Sequence, residues 1–246
     1  MSLPVHLVPS LAGAAVGGLV EVTGDEAHHG VAVRRLRVGE PVVLTDGLGT
    51  AVTGVVASTG KRVFAVRVSE IALTPRSSPE IVVVQALPKG DRGELAVEVL
   101  TEIGVARIVP WAASRSVAIW KGDRAVKSLA RWRATARGAG KQARRPWAVS
   151  VSELASTVDV VSLLASADLA VVLHEAASQS LVSLPVPDTG RIVVVVGPEG
   201  GLTDDEIEVF TGSGAVAVRL GSEVLRTSTA GVAAVAALLS RTSRWV

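Results

Sequence analysis

Three short stretches of the chain set glycines and charged side chains together directly after apolar runs. Pro88-Lys89-Gly90-Asp91-Arg92 follows Ile81–Leu87, and Gly197-Pro198-Glu199-Gly200-Gly201 follows Arg191–Val196. A third starts at Leu220-Gly221-Ser222-Glu223 and continues through Val224-Leu225-Arg226-Thr227-Ser228-Thr229-Ala230. Glycine lets backbone approach a ligand closely, and ligands of open α/β sheets sit beyond the carboxyl ends of the strands. The glycine spacing is neither a dinucleotide fingerprint nor a P-loop, so neither of those phosphate sites is expected. There is no cysteine, which removes disulfides, thiolate nucleophiles and sulfur-ligated zinc. His28 and His29 are adjacent rather than four apart, so no metal site is expected either. Gly197–Gly201 reads as a ligand loop or as a structural Gly-Pro turn bearing one carboxylate. Behind it, Thr203-Asp204-Asp205-Glu206 is a capping box: Thr203 caps a helix and Glu206 reaches back.

The hydrophobic pattern supplies elements to hold these loops. Ile81–Leu87, Arg107–Trp111, Asp168–Leu173, Arg191–Val196 and Ala215–Leu220 read as buried strands. Gly93–Ile103, with Leu95, Val99 and Ile103 at four-residue spacing, reads as an amphipathic helix; Lys121–Ala143 and Thr229–Ser240 read as two more. This alternation predicts an α/β domain over residues 80–246, with a mostly parallel sheet covered on both faces. Upstream, Glu40–Thr45, Ala51–Ala57 and Val63–Ile71 are Val-rich runs separated by turns, and a helix is expected around Asp25–Arg37. Residues 1–73 therefore predict a small β-barrel or sandwich. Residues 74–79, at the end of Leu73-Thr74-Pro75-Arg76-Ser77-Ser78-Pro79, predict a linker.

Aromatic residues make up only 3% of the 246 positions, so the core must be built from Val, Ala, Leu and Ile. The longest apolar runs, Ile192–Val196 and Ala230–Leu239, fall far short of the ~20 residues that span a bilayer. The N-terminus lacks the basic stretch of a secretory signal. A soluble, cytoplasmic protein with no membrane partner is expected.

The formal net charge of +2 conceals an uneven distribution. Residues 1–75 are neutral, residues 76–150 carry 14 basic and 6 acidic side chains, and residues 151–246 carry 5 and 11. The densest basic stretch is Lys121–Arg145, with Trp120, Trp132 and Trp147 interleaved. It reads as a polyanion-binding face with stacking tryptophans, or as a solvated helix face whose tryptophans pack inward.

Taken together, these features resemble the RsmE-type 16S ribosomal RNA uracil-N3 methyltransferases of the SPOUT superfamily. The resemblance covers nearly the whole chain. It rests on Asp25–Arg37 with His28-His29 and Arg34-Arg35, on Pro88–Arg92, and on Glu102-Ile103-Gly104 and Arg131-Trp132. It continues through Gln142 with Arg145-Pro146, Gly197–Gly201, and Leu220-Gly221 with Leu225-Arg226-Thr227 and Thr229-Ala230. It implies an N-terminal PUA-like RNA-binding β-barrel and a C-terminal SPOUT α/β domain with a trefoil knot. It also implies a homodimer that methylates N3 of a uridine in 16S rRNA of the 30S subunit, with S-adenosylmethionine (AdoMet) as cofactor. Two positions depart from the family pattern: Lys141, where Glu precedes Gln142, and Ser228, where an acidic residue is usual.

Carried over by position, the cofactor residues are Leu173, His174, Glu175, Gly197, Pro198, Glu199, Gly200, Gly201, Leu220, Gly221 and Leu225. The RNA-binding residues are Arg34, Arg35, Lys89, Arg92, Arg131, Arg137, Arg144 and Arg145. Uracil N3 must lose its proton before it can attack, and a cation against the resulting anion stabilises it. Arg226 is the first candidate for that cation, with Arg92 and Lys89 next; a salt bridge at the helix entrance is its alternative role. Glu199 is the candidate base, or a carboxylate that caps backbone amides. Without cysteine, a covalent adduct at pyrimidine carbon is excluded. Three rival readings remain: a SPOUT ribose 2′-O-methyltransferase, a non-catalytic RNA-binding assembly factor, and a metabolite-binding α/β module.

Overall fold

The computed structural model describes residues 3–245, and these divide into two compact units. The first comprises the residues up to Arg76 together with Lys141–Ala148; the second comprises Ser77–Gly140 and the residues from Val149 onward.

The first unit is a curled five-stranded sheet. Its strands are β1 (Val5–Leu7), β2 (Leu19–Thr23), β3 (Pro41–Thr45), β4 (Thr50–Thr59) and β5 (Val63–Leu73), in the order β1-β3-β4-β5-β2. Only the β1–β3 pair is parallel. β1 and β2 are the two edges, so the expected barrel is a half-barrel. Register shifts at Thr53/Gly54 and Val56/Ser58 bend β4, as bulges do. Alternating Val42, Leu44, Val52, Val56, Phe64, Val66 and Val68 fill the concave side.

The helix expected over Asp25–Arg37 is shorter. α1 spans Gly24–His28 and passes into a π-helical turn, His29–Val33. Gly30 lies so close to His6 and Phe64 that a Cβ there would stand 3.2 Å from each ring. Arg35 then takes a left-handed φ of 56°, which ends the helical path. Ala148 N–H donates to Gly47 O and Gly49 N–H to Pro146 O, which binds the Lys141–Ala148 segment to this unit.

The second unit is an all-parallel six-stranded sheet. Its strands are β6 (Glu80–Ala86), β7 (Arg107–Trp111), β8 (Ser150–Val151), β9 (Leu169–Leu173), β10 (Arg191–Val196) and β11 (Val216–Val218), in the order β11-β9-β10-β6-β7-β8. The continuous apolar runs arise because both faces of the sheet are covered. Ile81 and Val83, with Ile192, Val194 and Val196, pack on one side against α2 (Arg92–Glu102), α3 (Gly122–Gln142) and α6 (Thr227–Leu239). Val82 and Val84, with Val193 and Val195, pack on the other against α4 (Thr157–Ala165) and α5 (Asp204–Gly212).

The helix marked by Leu95, Val99 and Ile103 is present as α2, but these three lie beside its buried face rather than at its centre, with Ile103 partly packed on the core. Leu95 is exposed, and the buried stripe is Gly93, Ala96, Val97 and Leu100. Gly93 is there because Trp132 leaves no room for a side chain: a Cβ would lie 2.8 Å from its Nε1. α4 and β8 have no counterpart among the sequence-based expectations. α6 begins at Thr227, two residues before the expected start, which buries Ser228 in its first turn.

Candidate active site

Strand order reverses between β10 and β6, where ligands of open α/β sheets bind. On the β10 side of that point, the loops leaving β9, β10 and β11 enclose a cleft of about 400 Å3, which Arg92 at the start of α2 also borders. Every residue that the family resemblance assigned to the cofactor lines this cleft: Leu173, His174, Glu175, Gly197, Pro198, Glu199, Gly200, Gly201, Leu220, Gly221 and Leu225. Arg92 and Arg226 line it as well. Glu223 and Thr227, both from the third candidate loop, line it too, whereas Val196, Leu202, Val218 and Arg219 were not foreseen. Val196 and Val218 were detectable, because the last side chain of a strand borders whatever its loop holds.

The Gly197–Gly201 loop is pinned on two sides. Glu199 Oε1 accepts the Lys89 amide at 3.1 Å and faces Arg92 Nη1 at 3.5 Å, joining this loop to the one after β6. Of the two roles open to Glu199, amide capping is the one its geometry displays. On the other side, Arg115 Nη1 donates to Gly200 O at 3.3 Å and Leu202 O at 3.0 Å, a contact absent from the sequence reading. The predicted capping box is present. Thr203 Oγ1 accepts Glu206 N–H, and Glu206 Oε2 accepts Thr203 N–H at 2.9 Å. The second oxygen of this buried carboxylate accepts Ser114 N–H at 2.8 Å. Gly201 takes a φ of 72°, which a side chain would disfavour.

Arg226 occupies the N-cap of α6, where its carbonyl accepts the Thr229 and Ala230 amides. Its guanidinium is exposed to the cleft and has no carboxylate partner among the described residues. The salt-bridge alternative is therefore not realised. Ser228 does not line the cleft.

The RNA-binding candidates fall into separate groups. Lys89 and Arg92 border a shallow hollow of the second unit with Gly90, Asp91 and Leu95. On α3, Arg137 is exposed, whereas Arg131 faces Glu94 at 3.3 Å. In the first unit, Arg34 and Arg144 line a cavity of about 520 Å3 with Lys141; Arg35 is exposed, and Arg145 Nε donates to Trp147 O. Lys141 is bound to Glu26 Oε1, which also accepts His6 Nδ1 at 2.9 Å. Burial raises the Glu26 pKa, but the hydrogen bonds from His6 and Lys141 and their charges outweigh it and lower it to about 2. The Lys141 departure thus supplies a counter-ion. Trp132 is buried edge-on to Trp120 and both pack inward, whereas Trp147 is half-buried near the surface, donating to Thr74 O beneath Arg76. Among the described residues no cluster of His, Asp or Glu is arranged to hold a metal, and no helix is long and apolar enough to cross a membrane.

This is the geometry of a protein that pairs a PUA-type sheet with an RNA-methyltransferase domain. Residues 75–239 match the RNA methyltransferase domain family, and residues 22–68 match the RNA methyltransferase PUA domain family. Ribosomal RNA small subunit methyltransferase E of Mycobacterium tuberculosis is 43% identical over 93% of this chain and 89% of its own length. The Bacillus subtilis protein of the same name is 30% identical over 90% of each chain. The crystal structure of the Neisseria gonorrhoeae methyltransferase E bound to S-adenosyl methionine superposes with a TM-score of 0.86, at 29% identity, over 97% of this chain and 98% of that one. A putative methyltransferase of Legionella pneumophila in complex with SAM gives 0.88 at 27% identity over 98% and 99%. The chain belongs to the ribosomal RNA small subunit methyltransferase E family, and its second unit is a parallel α/β sheet of SPOUT type.

Proposed function

We propose that the chain transfers the methyl group of AdoMet to N3 of a uridine in 16S rRNA, with the 30S subunit as substrate. The observation that carries this reading is the convergence of every carried-over cofactor residue, together with Arg226, on one cleft. The cleft suits the cofactor. Its volume is in the range of small-molecule sites, and Leu173, Val196, Leu202 and Val218 give it apolar walls. The peptide N–H groups of Gly221–Leu225 are spent on no hydrogen bond within the chain among the described residues, so they are free to read a bound adenosine.

When bound, AdoMet supplies an electrophilic methyl group. Gly197–Gly201 and Leu220–Leu225 hold it by backbone and exclude water. Arg226 stabilises the anion that develops over the uracil oxygens, a contribution of the oxyanion-hole kind. Glu199 keeps the Lys89–Arg92 loop against the cleft. Glu223 lines the cleft without a hydrogen-bond partner among the described residues and, on the same loop as Arg226, accepts the N3 proton. Arg34, Arg35, Arg144 and Arg145 of the first unit, and Lys89, Arg92, Arg131 and Arg137 of the second, contact RNA phosphates. The protein works in the cytoplasm as a homodimer. Val117, Ile119 and Val126, each about 60–70% exposed, are apolar side chains that a second copy would cover.

The decisive experiment methylates 30S subunits from a strain lacking the endogenous activity, followed by nuclease digestion and mass spectrometry of the nucleosides. The expected product is 3-methyluridine. A ribose-methylated nucleotide, or AdoMet binding without transfer, overturns the reading.

A further inference from the structure

Gln85, near the carboxyl end of β6, is fully buried and stands in register with Val196 of β10. Its Nε2 donates to Thr227 O at 3.3 Å, to Thr227 Oγ1 at 3.2 Å and to Ala86 O at 3.2 Å. The Thr227 hydroxyl, itself buried, donates to Gly197 O at 2.6 Å. One chain of hydrogen bonds therefore joins the end of β6, the residue immediately after Arg226, and the first residue of the loop after β10.

The direction of each bond is set by chemistry. Two carbonyl oxygens face the Gln85 amide, so its NH2 group must point at them; the flipped amide would set oxygen against oxygen. The Thr227 proton goes to Gly197, which leaves a hydroxyl lone pair for Gln85. Gln85 Oε1 is then buried with no partner. An apolar side chain of equal length would fill the space without that unsatisfied acceptor, so space-filling does not explain a glutamine here.

We infer that Gln85 and Thr227 are positioning residues, a latch that holds the Arg226 end of α6 in register with the Gly197 loop. The inference rests on reading the cleft as the methyl-transfer site. Arg226 is the N-cap of α6, with an extended ψ of 149°, and its side chain has no ion-pair partner among the described residues. Its reach is therefore set by the backbone that Thr227 anchors. The Gly197 loop contacts the methyl donor and Arg226 contacts the acceptor, so the latch governs the geometry between them. Transfer rates fall steeply with small misplacements of reacting groups. Gln85 does not line the cleft, and Thr227 lines it with its hydroxyl spent on Gly197 O and Gln85, so loss of the latch should appear in kcat rather than in cofactor affinity.

The test uses Thr227→Val, which keeps the shape but not the hydroxyl, Thr227→Ser, which keeps the hydroxyl, and Gln85→Met, which keeps the length without the donor. Activity on 30S subunits, AdoMet Kd by calorimetry, and exchange of the hydrogen-bonded amides of the two loops, Gly201 beside Gly197 and Thr229 and Ala230 beside Arg226, are measured on the full chain. Thr227→Val and Gln85→Met should lower kcat by about 10- to 100-fold, with Kd within about threefold of the parent and faster exchange in both loops together. Thr227→Ser should restore kcat and exchange. Should Thr227→Val fail to fold, Gln85→Met carries the same comparison. Unchanged kcat and exchange, or a Thr227→Ser variant as impaired as Thr227→Val, overturns the latch. If the parent chain forms no 3-methyluridine, the reading of the reaction fails, and the exchange of the two loops still decides the latch by itself.

Discussion

Arg226 lines the cleft with no carboxylate partner among the described residues, and a guanidinium so placed has its field available for a charge that develops during a reaction. Arg226→Ala is expected to reduce methyl transfer by roughly 100- to 1000-fold, the usual loss for one preorganised donor, with AdoMet Kd within a few-fold of the parent by calorimetry. Arg226→Lys keeps the charge but loses the planar fork, so it should recover only part of the rate. Glu26 supports a second prediction, on stability. Its folded pKa, about 2, lies below the ordinary value of 4.5. The carboxylate's contribution is therefore fully present above about pH 4.5 and is lost as pH falls toward 2. Thermal melts across that window should show a steeper loss of stability in the parent than in Glu26→Gln. Equal slopes would mean that the His6–Glu26–Lys141 cluster gives no net stabilisation.

Helix termini in the second unit were legible to different degrees. The α5 capping box could be read from Thr203-Asp204-Asp205-Glu206 alone. The equivalent at α4, where Ser156 Oγ accepts Asp159 N–H and Asp159 Oδ2 accepts Ser156 N–H, has the same spacing and marks a helix absent from the sequence-based expectations. Ser156→Ala is expected to cost about 0.5–2 kcal/mol, seen as a drop of about 2–4 °C in Tm per kcal/mol for a chain of this size, with activity unchanged. The strands were legible because buried parallel strands are unbroken apolar runs. The packing face of α2 was only partly legible, because beside Val97 and Leu100 it uses Gly93, which fits against Trp132, and Ala96, and small residues add little to a hydrophobic count. The loops of the cleft could be found from their glycines and their place after strands. What closes the cleft could not. The Gln85–Thr227 bond joins residues 142 apart, and Arg115 reaches Gly200 across 85; neither pairing leaves a local pattern in the sequence.

The small net charge of the chain hides a basic middle segment, and the structure shows which of those charges are balanced within the chain. On α3, Arg131 is offset by Glu94 and Arg133 by Glu153, whereas Arg124, Lys127 and Arg137 have no carboxylate partner among the described residues. Each phosphate contact releases condensed counterions, so log K should fall against log salt with a slope of about −0.7 per contact for single strands and about −0.9 for a duplex. A side chain that contacts phosphate contributes to that slope; one balanced by a carboxylate contributes less. Combining Arg131→Ala, Arg137→Ala and Arg144→Ala should weaken binding to 16S rRNA fragments and flatten the salt dependence. Lys127→Ala with Arg137→Ala should reduce the slope by about one to two. Arg131→Ala alone should change the slope less, because a guanidinium held by Glu94 is less available to a phosphate. Filter-binding titrations at several salt concentrations separate these outcomes, and an unchanged slope in the triple variant would remove α3 and Arg144 from the RNA surface.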